Sequence, residues 1–153
     1  MEEKDDFFKI VNIDKAKIKA NTAIGLITLS LLTYIAPLLV GIFDFGMVFE
    51  AISLISIIIA RKYMLKYDSS KAKKYTYISM VAIGWILIYD IIILIVNIQS
   101  LADILVLGYE QLIMEILSML YINILFLITR DLGKAENPIK YKESTDWFYE
   151  NKK

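Results

Sequence analysis

The chain has 153 residues, of which 58% are apolar, against roughly 45–50% in a soluble domain. Its 17 Lys plus Arg balance 17 Asp plus Glu, which excludes a disordered chain, defined by low hydrophobicity and high net charge, and a nucleic-acid binder, which carries a strongly basic face. Cysteine and histidine are absent, so disulfides, thiol catalysis, zinc or haem on Cys or His ligands and Ser-His-Asp chemistry are excluded, and neither cofactor nor metal is expected.

Residues 1–20 carry most of the charge of the N-terminal segment. Phe7, Ile10, Val11 and Ile18 fall on one helical arc, but Asp14 and Lys15 share it. The segment reads equally as an amphipathic helix on a membrane surface and as a frayed charged leader.

Four apolar blocks follow, over 22–43, 45–60, 75–98 and 110–129. A hydrocarbon core of ~30 Å takes about 20 helical residues, and within lipid every backbone group must be bonded internally. The expected fold class is therefore an all-α integral membrane protein with four transmembrane helices in two hairpins. The first block has no charge, and Pro37 should bend its last third by removing the hydrogen bond to the Thr33 carbonyl. The second contains Glu50 and ends at Arg61 and Lys62; the third contains only Asp90. The stretch 101–129 is too long for one untilted span, so a short outer segment 101–107, broken near Gly108, is expected before the fourth helix. The domain plan is a leader over 1–20, a bundle over 21–130 and a tail over 131–153, with a turn at Asn137 and Pro138.

Every Lys and Arg lies before the first block, between the second and third, or after the fourth. The positive-inside rule then places both termini in the cytoplasm of a multi-pass cell-membrane protein. Arg61, Lys62, Arg130 and Trp147 read as interfacial anchors to the lipid bilayer. Fifteen of the 17 basic residues are Lys, the composition of an AT-rich prokaryotic genome.

Intramembrane acids carry the functional information, because an ionised carboxylate at the bilayer centre costs at least ~2.5 kcal/mol. Glu50, Asp90, Asn97 and Glu115 form the candidate intramembrane polar or ion site. On the third helix Ser79, Asp90 and Asn97 share one stripe, with Ile83 and Ile86 filling the gaps. The second and fourth helices echo one another in Glu50-x-x-Ser53 and Glu115-x-x-Ser118. Small residues mark close helix contacts, so a face with Gly25 and Thr28 is expected to meet one with Ser53, Ser56 and Ala60.

No phosphate-binding loop or nucleophile elbow occurs, and no enzymatic activity is expected. Two functions fit. One is a non-enzymatic interaction, accessory or immunity-type subunit, whose partner is a second copy or another membrane protein. The alternative is a small cation- or proton-coupled transporter or channel that uses the outer-half carboxylates.

Overall fold

Buried positions recur at alternating steps of three and four residues along four long helices, and that spacing sets the architecture. The computed structural model describes residues 2–41, 43–97 and 101–137, with side chains described for 6–35, 38–41, 43–92 and 116–137. The helices are α1 (Glu2–Thr33), the short α2 (Ile35–Leu39), α3 (Phe45–Leu65), α4 (Ser69–Asn97) and α5 (Leu101–Glu136). On α1 the seam is Ile13, Ala16, Ala20, Ala23 and Ile27, and on α3 it is Gly46, Glu50, Ser53, Ile57, Ala60 and Met64. On α4 it is Ala72, Thr76, Ser79, Ile83 and Ile86, and on α5 Tyr121, Leu125, Ile128, Leu132 and Ala135. A mean step of 3.5 residues keeps each seam facing its neighbours in a left-handed bundle.

The helices pack in the cyclic order α1, α3, α4, α5, leaving α1 with α4 and α3 with α5 on the diagonals. Two hydrogen bonds tie α1 antiparallel to α3, from Arg61 Nε to Asn21 Oδ1 and from Ser30 Oγ to Glu50 Oε1. The α3–α4 turn closes as a Schellman motif, in which the Asp68 N–H bonds the Tyr63 carbonyl and the Tyr67 N–H bonds the Met64 carbonyl, both within 3.1 Å. Tyr67 takes the left-handed conformation (φ 56°) usually given to glycine, and the Lys17 ammonium sits 4.1 Å from its ring centre. Asp68 then caps α4 by accepting from the Lys71 N–H. That bond holds its carboxyl below the usual range.

Three sequence expectations change. The charged leader expected over 1–20 is, from Glu2 onward, continuous with the first apolar block: α1 is one helix through Thr33, and its charged half docks through the buried Asn12, Ile13, Ala16 and Ala20. The alanines let the neighbouring helices approach closely enough to hold this half. Secondly, α5 has no break at Gly108 and runs as one helix of 36 residues, about 54 Å long at 1.5 Å per residue. A lone glycine costs a helix only about 1 kcal/mol, too little to end it. Thirdly, the tail boundary at 130 falls inside α5, where Asp131, Leu132 and Ala135 are buried. The turn expected at Pro138 and the anchor Trp147 lie outside the described residues.

The basic end of the bundle, its foot, is joined by charge. Lys19 pairs with the buried Asp131, and Lys73 with Glu136 at 2.9 Å. Above the foot the outer surface is apolar: Leu29 and Leu32, Ile52, Ile55 and Ile58, Val81, Trp85 and Ile88, and Met119, Leu120 and Phe126 are all exposed. Two helices are long and apolar enough to cross a membrane, over Ser69–Ile92 of α4 and Ile116–Glu136 of α5. After Lys19, α1 offers 14 uncharged residues before it ends at Thr33, and α3 has 16 residues before Arg61, Glu50 among them. At 1.5 Å each these reach about 21 and 24 Å.

Removing either partner of the Lys19–Asp131 pair should have unequal effects. Lys19→Met strands a carboxylate that is 3% exposed, and should cost roughly 3 kcal/mol. Asp131→Asn leaves an ammonium whose side chain, 30% exposed, reaches water, and should cost about 1 kcal/mol. Thermal unfolding of the purified variants in mild detergent measures the difference, and equal losses would refute it.

Candidate functional site

Glu50 sits on the interior seam of α3 and is 3% exposed. Its Oε1 accepts from Ser30 Oγ at 2.8 Å and, at 3.5 Å, from the Tyr34 hydroxyl. Its Oε2 is buried with no hydrogen-bond partner among the described residues. Local backbone features build this arrangement. Pro37 cannot donate to the Thr33 carbonyl, and α1 stops at Thr33 with the Tyr34 N–H bonded to the Leu31 carbonyl at 3.3 Å. The chain turns at Gly41, whose φ of +80° suits glycine, and Asp44 caps α3 by accepting from the Gly46 N–H at 2.6 Å. A side chain at Gly46 would place its Cβ 3.0 Å from the Tyr34 hydroxyl oxygen and 3.1 Å from Asp44 Oδ1. Glycine here keeps Tyr34 over Glu50.

Beside Glu50 is a cavity of about 220 Å³. Its polar lining is Ser30, Thr33, Glu50, Ser118 and Tyr121, and its apolar lining is Leu26, Ile27, Leu29, Ile83 and Leu117. One turn further along α3, Ser53, Ser79 and Tyr121 form a triangle of hydroxyls, with oxygen separations of 2.6, 3.0 and 3.1 Å. The triangle joins α3, α4 and α5, and each member has partners within it, so no polar group is stranded. Beyond it the interior is mainly apolar through Ile57, Met64, Leu125, Ile128 and Leu132, with the hydroxyls of Ser56, Thr76 and Thr129 buried among them.

The structure distributes the expected site residues unevenly. Glu50 lines the cavity; Asp90 is half-buried on α4, within electrostatic range of Glu50. The side chains of Asn97 and Glu115 lie outside those described. Ser53, Ser56 and Ala60 are buried on α3. Gly25 and Thr28, expected to meet them, are instead exposed, and a Cβ on Gly25 would meet nothing within 4 Å. The alanine seam, whose 3–4 spacing matches that of α3, faces the interior in their place. Arg61 is half-buried against Asn21, whereas Lys62 and Arg130 are exposed. In the E-x-x-S echo, Ser53 belongs to the triangle and Ser118 to the cavity wall.

Sequence reasoning missed Ser30, Tyr34 and Tyr121 as site residues. The signal was the 3–4 spacing, which continues from Ile27 to Ser30 and Tyr34 and includes Tyr121 on α5. Among the described residues no group of three or more acidic side chains is placed to hold a metal ion. The fold and site define a four-helix bundle with a carboxylate and hydroxyls inside and hydrocarbon outside. Comparison with protein-family models, curated proteins and solved structures gives no match.

Because the triangle shares its bonds, its members should couple. Ser53→Ala and Tyr121→Phe should each cost about 1 kcal/mol, and the double variant less than their sum by at least ~0.5 kcal/mol. Strict additivity in thermal unfolding would show that the three hydroxyls do not act together.

Proposed function

We propose that the chain is an integral membrane protein, with both termini cytoplasmic, that carries a proton or small cation across the bilayer, with Glu50 as the exchangeable carboxylate. The observation that carries this reading is the polarity of the bundle. Its middle exposes Ile, Leu, Val and Trp while burying, beside a cavity, a carboxylate with one oxygen unpartnered among the described residues. In water such a surface invites aggregation; in lipid it is the ordinary outer face, and ionisable residues turn inward. With α2 added to α1, and with the full lengths of α3, α4 and α5, all four helices span. The basic foot, which includes Lys17, Lys19, Lys73 and Lys74, then lies on the cytoplasmic side by the positive-inside rule. The acids Asp44, Glu50 and Asp90 lie in the outer half, where they attract cations and repel anions.

A second reading, a non-enzymatic accessory or immunity-type subunit, is favoured by the exposed face of α1 with Gly25 and Thr28. Small residues there allow close approach of another membrane helix, from a second copy or a different protein. Crosslinking in mild detergent should then give a defined oligomer that Gly25→Leu disperses.

The absence of native cysteine gives a clean background for testing topology. Ser70→Cys should react with a membrane-impermeant maleimide only after permeabilisation, and Phe43→Cys in intact cells; the reverse pattern would overturn the orientation. In liposomes under an imposed pH or cation gradient, the wild-type chain should support flux, Asp90→Asn should slow it, and Glu50→Gln should abolish it. Flux indifferent to Glu50→Gln, or no flux at all, would refute the carrier.

A further inference from the structure

We infer that the Glu50 cavity is a seat for a small aliphatic amine, whose ammonium group replaces a proton on Glu50. This deepens the carrier reading and rests on its premise that Glu50 exchanges its proton.

The site offers an incoming group one strong anchor. Glu50 is 3% exposed, its Oε1 is held by Ser30 and Tyr34, and its Oε2 is buried on the wall of the cavity without a partner among the described residues. An unmatched buried carboxylate oxygen calls for a hydrogen-bond donor, and a cationic donor suits it best. A calcium or magnesium ion takes six or more oxygens converging on one point. Here three of the four hydroxyls of the described wall are engaged, since Ser30 donates to Glu50, Thr33 donates to the Ser30 carbonyl at 2.7 Å, and Tyr121 is held by Ser53 and Ser79, which leaves Ser118 beside the carboxylate.

The rest of the wall selects the body of the ligand. Leu26, Ile27, Leu29, Ile83 and Leu117 present hydrocarbon, which a hydrated inorganic cation does not use and an alkyl chain does. The volume of about 220 Å³ equals the share of about seven waters at ~30 Å³ each. That admits an amine with a short chain and excludes drug-sized cations, whose pockets begin at roughly 300 Å³. Binding converts the carboxylic acid and the free ammonium into a carboxylate–ammonium pair, and the carboxyl proton leaves to water. The buried site stays electrically neutral before and after, which avoids the cost of a lone buried charge.

The test uses the full chain in detergent with n-hexylammonium as probe, and 1-hexanol and sodium as controls. Calorimetry in two buffers of different ionisation enthalpy should show saturable hexylammonium binding with a proton released for each amine bound. Glu50→Gln should weaken it roughly tenfold or more. Ser118→Leu, which narrows the cavity and leaves Glu50 in place, should weaken hexylammonium by a similar factor while sparing methylammonium. Hexanol binding as tightly as hexylammonium, sodium displacing it at equal concentration, or binding unchanged by Glu50→Gln would each overturn the amine seat. Proton flux in liposomes without amine binding overturns the seat and leaves the carrier standing. Amine binding with proton release but no flux supports the seat and overturns the carrier.

Discussion

A carboxylate that water does not reach has to be satisfied by the protein around it, and one end of the bundle is built to that requirement. Holding a single oxygen of Glu50 takes Ser30 near the end of α1 and Tyr34 at the helix break. Gly46 leaves room for the tyrosine hydroxyl, and Asp44 caps the helix that carries the carboxylate. The other oxygen is buried with no hydrogen-bond partner among the described residues. Below it, the Ser53–Ser79–Tyr121 triangle closes the polar region with bonds that satisfy one another. An interior this polar persists because a half-satisfied network costs more than an apolar one, so its members are held in fixed positions.

The foot solves a different problem. Its helices carry charge close to their packing faces, and it gains cohesion from ion pairs and aromatic contacts. Lys19 meets Asp131, Lys73 meets Glu136, and Tyr63 stacks on Tyr75 with ring centres 5.5 Å apart. Between foot and cavity the core is mainly apolar, formed by Ile57, Ala60, Met64, Leu125 and Ile128. The same helix therefore serves both ends: α1 runs unbroken from Lys19 in the foot to Ser30 at the cavity.

Much of this was legible in the sequence, and the remainder was hidden for identifiable reasons. The apolar blocks locate four helices, and the stripe through Ser79, Ile83 and Ile86 does face the interior. Helix ends were poorly legible, because charge marks where apolar text stops and not where a helix stops; α1, α4 and α5 all continue into charged segments. Gly25 and Thr28 drew attention as small residues, but smallness permits an approach and does not direct it, and the alanines at seam spacing hold that role. Glu50 was legible as a costly residue. The cavity was not, because an empty space among four helices depends on side chains from separate stretches of chain, from Leu26 to Tyr121.

The regular seam also limits how such a chain can change length. One residue inserted within α3 between Ala60 and Glu50 would turn everything on one side of it by about 100° about the helix axis, moving the carboxylate out of the interior. Seven residues restore the facing to within about 20°, since two turns of 3.6 nearly match the repeat. Sequences that descend from this one should therefore gain and lose helical length in blocks of seven, shared by neighbouring helices, with single-residue changes confined to the turns near Gly41 and Tyr67.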